Sequence, residues 1–570
     1  MANFDPSEFQ HRIESFRNEY ADRGSKFANM DEGLRVVLET KGREAPRRVE
    51  DQAKSLTPVE VTVERMFPGS EEEESGDRFD LARFFLLTVP RTSYEVVGPG
   101  AYDYAYYLRE KMDLASAEPD VPFRGFDDAR FLDPCWEPEG MEPDDYAWSL
   151  RNMRVPQAWK LAPTKGDGIR VGHPDTGYAK HVDLDDSRLD LSRAYNFIDN
   201  NPDAEDPLDY GGVLKSPGHG TATGSVIVSD GDVTPPPPSG IKGGTTPPGR
   251  VTGVAPKAVL VPLRAIKSVV RIFSGNVAKA VYRATKTDCH VVSMSLGGLP
   301  SRALHGAIRN AVTKQRIVLA AAGNCVSFVV WPARYAESIA LAATNISDRP
   351  WKGSSNGKKV DVSAPGEFVW CARRKLPKEP PTNIDGGQGT SFATANTAGV
   401  AALWLAHFGP DALAENARRN GATVQSTFRS RLRATARVPG PKWDSKNFGA
   451  GIIDAENLIA QTPPPFPEHY HSRDYQYFSH ITGLMSDVAS VDAARQMTEL
   501  LQIAPGNGEK AVQEFESWGH ELLRILLSDV DVFEKTIRYI ENESRMHIQE
   551  LRAMYAQHAS KTLANVLLLV

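Results

Sequence analysis

From Tyr146 to about Thr462, near-continuous apolar runs alternate with helical runs of small residues. The runs are GIRVGHPD, HGTATGSVIV, AVLVPLRAI, CHVVSMSLGG, RIVLAAAGN, SIALAAT and KVDVSAPG. Strands that are apolar along their whole length are typical of a parallel sheet with helices on both faces. The pattern therefore predicts an α/β domain over 146–462, with functional residues at strand ends. A Pro- and Gly-rich insertion at 229–249 predicts an exposed loop.

The first segment of the chain has a different pattern. The runs VEVTVERMF (59–67) and RFFLLTVP (83–90) predict two strands, and AYDYAYYLREKMDLA, which follows them, predicts a helix. A short extended stretch, SAEPDVPF, comes next. These elements predict a small α/β domain over 1–123, and residues rich in Pro, Asp and Glu predict a linker over 124–145.

After TPPPFP (462–467) the pattern becomes helical to the end of the sequence. Apolar residues spaced by three and four predict one amphipathic helix from Val512 to Ile525 and a longer one from Val530 to Tyr555. The pattern predicts a helical domain over 468–570. Packing within a small bundle is the favoured interpretation, and a surface for an activating protein partner is the alternative.

Composition narrows the class of protein. The 570 residues are 41% apolar and 24% charged with a net charge of −7, which indicates a soluble, multidomain protein and gives no general attraction to nucleic acid. No run is long enough to predict a membrane span, and the polar first twenty residues do not resemble a secretory signal. The four cysteines lack CxxC spacing, which argues against a disulfide framework or a zinc site and favours a reducing cytoplasm.

Three short motifs contain an aspartate, a histidine and a serine, which together can make the serine hydroxyl a reactive nucleophile. Asp175 stands in DTG at the end of a predicted strand, His219 opens the small-residue run HGTATG, and Ser391 stands in GTSFA. A serine hydroxyl is a weak nucleophile and needs a base such as histidine, whose tautomer and positive charge a buried carboxylate then stabilises. Each motif alone is common, but in this order within one α/β segment they predict a catalytic set.

The same segment contains GVAPKAVLVPLRAI (253–266), SMSLGG (293–298), AAAGN (320–324), SAPG (363–366) and NFGAGIIDAENLI (447–459). With these motifs, residues 146–462 resemble the subtilisin-like serine proteases, the subtilase family. The resemblance implies a three-layer α/β fold with a mainly parallel sheet and serine endopeptidase activity on protein or peptide substrates. It also implies that Asp175, His219 and Ser391 form the triad, and that Asn324 stabilises the oxyanion together with the backbone N–H of Ser391.

In this family the substrate lies extended between two segments, which correspond here to SMSLGG and AAAGN. The resemblance therefore implies that Ser295, Leu296, Gly297, Ala322 and Gly323 bind substrate and wall its first pocket, which Val330 and Trp331 narrow. It implies no required cofactor. A structural calcium ion, which subtilases often hold, would fall near the acidic residues of 183–190, but without EF-hand-like spacing a solvated loop is the favoured interpretation.

Some positions depart from the family pattern: His173 and Pro174 stand before Asp175, Ala222 where a second histidine is common, and Ala395 where proline is usual. Proline cannot donate within a central strand, which predicts an early end of that strand. Residues 59–123 are similar to a subtilase pro-domain, and without a secretory signal this implies an intracellular protease that carries its own inhibitor. The segment around 118–145 is expected to occupy the cleft, where it is either cut or held until a partner releases it. Two other functions stay open, a catalytically silent peptide-binding module and a peptide ligase or macrocyclase.

Overall fold

The computed structural model describes residues 4–22, 33–73, 80–121, 134–136, 143–210, 215–231, 250–269, 272–463, 476–489, 493–500, 508–541 and 548–568. Most of the loop predicted at 229–249 and of the linker predicted at 124–145 lies outside the described residues. The exceptions are 229–231, 134–136 and 143–145.

The N-terminal part contains a small antiparallel sheet with helices against it. Its strands are β1 (Leu34–Glu39), β2 (Thr62–Arg65), β3 (Phe84–Val89) and β4 (Ser116–Pro119), in the order β2-β3-β1-β4. Its helices are α1 (Pro6–Asp22), α2 (Pro46–Leu56), α3 (Tyr94–Val97) and α4 (Gly100–Lys111). The predicted strands at 59–67 and 83–90, the predicted helix and the extended stretch are all present. The pattern does not predict β1, because the short run LRVVLE is equally compatible with a helical turn.

The central sheet has seven strands, and each pair of neighbours is parallel. The strands are β5 (Arg170–Asp175), β6 (Tyr195–Asn196), β7 (Val259–Arg264), β8 (Val291–Met294), β9 (Ile317–Ala321), β10 (Ile339–Thr344) and β11 (Val362–Pro365), in the order β11-β10-β9-β8-β5-β7-β6. A separate antiparallel hairpin pairs β12 (Val369–Ala372) with β13 (Ile384–Gly387). The predicted parallel sheet is thus confirmed.

Helices lie on both faces of this sheet. In chain order they are α5 (Trp148–Asn152), α6 (Val155–Leu161), α7 (His219–Val228), α8 (Ser274–Lys286), α9 (Arg302–Thr313), α10 (Thr390–Phe408), α11 (Pro410–Arg419), α12 (Val424–Thr435), α13 (Ser445–Phe448) and α14 (Ala455–Ala460). Alternate residues of a strand enter different cores: Val291 of β8 packs in the core of α7 and α10, whereas Val292 packs in that of α8 and α9. This arrangement gives the three layers expected from the fully apolar strands.

Pro174 does not end β5, so the prediction of an early strand end is wrong. The register of β5 with β7 continues through Pro174 to Asp175, and the Asp175 carbonyl accepts from the Ala265 N–H at 2.9 Å. Backbone groups of successive strand residues face opposite neighbours, so the missing N–H of Pro174 faces β8. The ladder with β8 stops at Gly172, so β5 continues to Asp175 through its pairing with β7 alone.

The C-terminal part is helical. Its helices are α15 (Tyr477–Ala489), α16 (Ala494–Leu500), α17 (Gly508–Ser528), α18 (Val530–Ile540), α19 (Ile548–His558) and α20 (Lys561–Leu568). The single long helix predicted from Val530 to Tyr555 is wrong. The Thr536 and Tyr555 hydroxyls lie 3.1 Å apart, whereas one straight helix would separate the two residues by about 28 Å. The chain therefore folds back between α18 and α19.

The apolar faces of these C-terminal helices are covered by the rest of the chain. Phe515, Leu522 and Ile525 are buried in one continuous core that also includes residues of α8, α9 and the N-terminal sheet. The ring of Phe328 lies 5.7 Å from that of Phe533. These contacts favour the interpretation of the apolar stripe as core packing.

Candidate active site

Asp175 and His219 form a hydrogen-bonded pair at adjacent element ends. Asp175 is the last residue of β5, and His219 is the first of α7. The His219 Nδ1 lies 2.8 Å from Oδ1 and 3.1 Å from Oδ2 of Asp175. Complete burial by itself would raise the pKa of Asp175, but attraction to His219 and the hydrogen bonds lower that pKa below its ordinary value. The carboxylate is therefore ionised and can orient the imidazole.

Small residues and hydroxyls hold this pair together. The Thr176 Oγ1 accepts from the Gly220 N–H at 3.0 Å, and the Thr221 Oγ1 accepts from the Ala179 N–H at 2.7 Å. A Cβ on Gly220 would come 2.1 Å from the Gly177 carbonyl oxygen, so the close approach of α7 to the turn after β5 requires glycine. The small residues of HGTATG are thus explained by packing.

Ser391 stands in the first turn of α10, where Gly389 at a φ of 140° leads into the helix. Its Oγ donates to the Ser295 carbonyl at 3.3 Å, and its own carbonyl accepts from the Ser295 Oγ at 2.9 Å. Among the described residues, no hydrogen bond joins the Ser391 Oγ to the His219 ring. Catalytic hydrogen bonds of this kind are often long without substrate.

Asn324 is fixed beside Ser391 by Thr390, the residue that precedes the serine. Its Oδ1 accepts from both the backbone N–H and the Oγ1 of Thr390, each at 2.9 Å. This leaves the Nδ2 group as the donor, and a Cβ on Gly389 would approach it to 3.3 Å. The structure therefore brings an amide donor to the start of the helix that carries Ser391. The sequence motifs do not indicate the role of Thr390.

The two segments predicted to bind substrate lie next to each other. Ser295, Leu296 and Ala322 are buried. Val330 lies between the segments, since a Cβ on Gly297 would come 2.6 Å from its Cγ2 and one on Gly323 would come 3.0 Å from its Cγ1. The Val330 side chain therefore lies against both segments.

Cys325, next to Asn324, forms a disulfide with Cys135 across 190 positions of sequence. The prediction that the cysteines form no disulfide is therefore wrong, and only Cys289 and Cys371 remain as buried free thiols. The spacing gave no signal because the pairing depends on how residues 134–136 pack. There the Trp136 ring lies 5.5 Å from that of Trp351. The disulfide ties this segment to the loop that carries Asn324.

The acidic residues at 183–190 serve separate structural roles. Buried Asp183 lies 3.3 Å from the Arg250 Nε, and burial raises its pKa to about 6 despite that partner. Asp190 pairs with Arg193 at 2.7 Å. In the part of the chain that the structure describes, no group of three or more His, Cys, Asp or Glu side chains is placed to hold a metal ion.

His173 lies behind Asp175, where the family pattern has an aliphatic residue. Its Nε2 is 3.1 Å from the Thr223 Oγ1 and 3.6 Å from the Asp175 Oδ2. Burial lowers the pKa of His173, so the ring is neutral at neutral pH. Because the His173 ring is neutral, it does not form an ion pair with the Asp175 carboxylate, which therefore interacts electrostatically with His219.

A carboxylate and an imidazole joined at the edge of a parallel sheet, with a helix-terminal serine and an amide donor nearby, are the parts of a serine hydrolase. Comparisons with known proteins agree. The sequence model of the Peptidase_S8 family, described as the subtilase family, matches residues 166–451. This chain therefore belongs to the subtilase family and is a subtilisin-like serine endopeptidase, an enzyme class that needs no cofactor for catalysis.

Individual relatives cover the same region. Subtilisin BL of Lederbergia lenta is 27% identical over 312 residues, which are 54% of this chain and 97% of that protein. Thermitase of Thermoactinomyces vulgaris is 29% identical over 274 residues, covering 46% and 84% of the two chains. An intracellular serine protease of Paenibacillus polymyxa is 29% identical over 270 residues, covering 44% and 70%. In the described residues no helix is both long and apolar enough to cross a membrane.

Proposed function

We propose that Ser391 attacks the scissile carbonyl while His219 takes its proton and then delivers it to the leaving amine. The observation that carries this proposal is the 2.8 Å hydrogen bond from His219 Nδ1 to the buried carboxylate of Asp175. That bond keeps the Nδ1 protonated and leaves the Nε2 as the basic nitrogen. Water then resolves the acyl-enzyme, and the products are two shorter peptides.

We propose that Asn324 Nδ2 and the backbone N–H of Ser391 bind the oxyanion of the tetrahedral intermediate. The support is the orientation of the amide, whose Oδ1 is occupied by two bonds from Thr390. Donors that are fixed before the reaction stabilise developing charge without reorganisation. The same proposal assigns Ser295, Leu296, Gly297, Ala322 and Gly323 to the backbone and the first side chain of the substrate.

A fluorophosphonate probe tests the nucleophile directly. The full chain should acquire one covalent label, because such probes react with an activated serine, and Ser391→Ala should acquire none. The label is located by peptide mass spectrometry. A label on another serine, or equal labelling of the variant, would show that Ser391 is not the activated hydroxyl.

Two other functions give different results in the same preparation. A silent peptide-binding module would take no label and release no product from any peptide. A ligase would also take the fluorophosphonate label, but its products would be joined to an added amine. The masses of the products distinguish ligation from hydrolysis. The complete set of Asp175, His219, Asn324 and Ser391 argues against the silent module.

We propose that the N-terminal domain, residues 1–123, controls access to this site. It caps the first turns of α8 and α9: the Asp120 Oδ1 accepts from the Gly275 N–H at 3.1 Å, and the Glu118 Oε2 accepts from the Arg302 N–H at 3.4 Å. Carboxylates at helix N-termini are favourable. Glu39 also binds the Arg302 Nε at 2.9 Å. These buried charges make the contact a specific one.

The C-terminal helices, in this proposal, retain the N-terminal domain on the protease. The Tyr106 hydroxyl donates to the Glu521 Oε2 at 2.7 Å, and the Asp103 Oδ1 accepts from the Thr562 N–H at 2.8 Å. On the protease side, Arg334 pairs with Asp487 at 2.7 Å. An activating partner would have to loosen these contacts.

We propose that the enzyme acts in the cytoplasm, in line with the name of its Paenibacillus polymyxa relative. In a reducing cytoplasm stable structural disulfides are rare, and those that form are usually transient or regulatory. The Cys135–Cys325 bond would then be a reversible link between the segment at 134–136 and the Asn324 loop. Its reduction would free that segment from the active site.

Self-cleavage within 118–145 should appear as a mass change in the purified wild type on incubation, and Ser391→Ala should remain intact. Masses are measured with and without reductant. A cut after Cys135 leaves the N-terminal fragment linked to Cys325 until reduction, whereas Cys135→Ser releases it at once. If wild type and Ser391→Ala keep the same mass after prolonged incubation, the zymogen proposal fails.

A further inference from the structure

A cavity of about 710 Å³ opens beside His219. One wall is the turn at 215–218 that leads into His219, and the opposite wall is the β12–β13 hairpin with Phe392. Of the described residues that line it, none belongs to the two segments assigned to the substrate at 295–297 and 322–323. The cavity therefore adjoins His219 and is separate from those two segments.

This side of the cleft receives the leaving group. In acyl transfer the histidine donates its proton to the departing amine, so it faces the residues that follow the scissile bond. His219 lies on the cavity wall, and Phe392 directly follows the serine proposed as nucleophile. Residues after the cleaved bond would therefore pass close to this cavity.

The walls carry an excess of positive charge. Four basic side chains face two carboxylates, and the lining set is Lys215, Arg373, Arg374, Lys375, Glu379 and Asp385. The two carboxylates are engaged within the hairpin, where Arg373 binds the Glu379 Oε1 at 3.2 Å and the Lys375 Nζ lies 3.4 Å from the Asp385 Oδ2. The excess charge lies beside the path of the leaving peptide.

Arg374 is a lining cation for which the described residues provide no carboxylate partner. Its guanidinium donates to the backbone carbonyls of Glu379 and Pro377, and among the described residues it pairs with no carboxylate. Arginine binds carboxylates through two parallel N–H groups, so an acidic side chain is its preferred ligand.

The hairpin is held close to the catalytic histidine. A Cβ on Gly218, whose φ is 74°, would lie 1.6 Å from the Arg374 carbonyl oxygen, so the two backbones are in contact. An extended peptide advances about 3.3 Å per residue. Arg374 and Lys375 are thus within reach of the first three positions after the scissile bond.

The cavity also has an apolar floor that can contact the methylenes of an acidic side chain. The Phe392 ring lies flat against the hairpin, since a Cβ on Gly387 would come 2.0 Å from its Cζ. Leu376, which is 59% exposed, and Trp136 complete this surface. The chain's own sequence after Trp136 is EPEGMEPDD, with five acidic residues in nine, so it matches the charge of the cavity.

We infer that this cationic cavity is a specificity site that selects protein substrates with Asp or Glu at the first three positions after the scissile bond. The inference rests on the proposed function, because it uses the assignment of His219 as the proton donor. It names the substrate class on the leaving-group side of the same site.

Paired peptides test the selection. They are identical before the scissile bond and carry Glu, Gln or Lys at the second position after it, and rates are normalised to the sites labelled by fluorophosphonate. At low salt the Glu peptide should exceed the Gln peptide about tenfold in kcat/KM, with the Lys peptide slowest, because charged hydrogen bonds discriminate by this much. Added salt should reduce the ratio, since it screens exposed charges.

Variants then locate the effect. Arg374→Gln should reduce the Glu-to-Gln ratio to about one, and Lys375→Glu should reverse the preference toward Lys. Arg419→Gln is the matched control, because Arg419 is an exposed arginine on α11, and it should keep the wild-type ratio. Arg374 also donates hydrogen bonds to the hairpin backbone, so Arg374→Gln removes structural contacts as well as a charge. If that variant unfolds, the preference of Lys375→Glu tests the inference.

Equal rates for Glu and Gln peptides in the labelled wild type would overturn the specificity site and leave the protease intact. Absence of both labelling and hydrolysis would instead overturn the proposed function, and the inference with it.

Discussion

Replacing His219 with alanine should lower turnover about 10⁶-fold, the loss seen when the base of a subtilisin triad is removed. Ser391 would remain in place, but its hydroxyl would have no base within the cleft to accept its proton. Substrate binding and the Asn324 donor would survive, so a residual rate about 10³- to 10⁴-fold above the uncatalysed reaction is expected. Turnover of a fluorogenic peptide by the purified variant measures the loss.

The chain offers a matched control. His305 also pairs with a buried carboxylate, since its Nε2 lies 2.8 Å from the Glu337 Oε2, but the pair is in α9 and the loop before β10. His305→Ala should lower the unfolding temperature and keep turnover per folded molecule. A His219→Ala enzyme within tenfold of wild type would exclude His219 as the base. The double variant with Asp175→Asn should be no slower than His219→Ala alone, because the two residues act as one unit.

Much of the catalytic fold could be predicted because its strands are apolar on both faces. The runs AVLVPLRAI and RIVLAAAGN form β7 and β9. The residues predicted to be catalytic lie at the ends of strands or helices. Asp175 and His219 meet because β5 ends and α7 begins at the same edge of the sheet. The small residues around His219 indicated close packing at the start of α7, where Gly220 lies against the turn after β5.

The structural features that the sequence did not indicate depend on contacts between segments that are far apart in the sequence. The disulfide from Cys135 to Cys325 needs the packing of Trp136 on Trp351, for which no spacing rule exists. The apolar spacing continues from α18 into α19, so periodicity alone predicts one helix where the structure has two. The role of Arg374 depends on a hairpin returning to the residue before His219.

Asp175→Asn should reduce turnover about 10⁴-fold while preserving the shape of the site. The carboxylate of Asp175 accepts from the Thr176 N–H at 2.7 Å and from His219 Nδ1 at 2.8 Å. Both bonds go to Oδ1, and Oδ2 lies 3.1 Å from the same His219 Nδ1, so the NH₂ group that replaces Oδ2 in an asparagine would face the imidazole. The ring would then carry its proton on Nε2, which is the nitrogen that must accept the proton of Ser391.

Burial makes this effect strong, because no water can replace the lost acceptor. Neutral His173 lies 3.6 Å from the Asp175 Oδ2 and cannot supply a negative charge. Asp183→Asn is the control: Asp183 is equally buried, but it binds Arg250 and the Val251 N–H, so its loss should lower the unfolding temperature without changing turnover per labelled site. If Asp175→Asn kept a tenth or more of wild-type turnover, with unfolding unchanged, the tautomer of His219 would have to be set by some other group and the triad would be wrong.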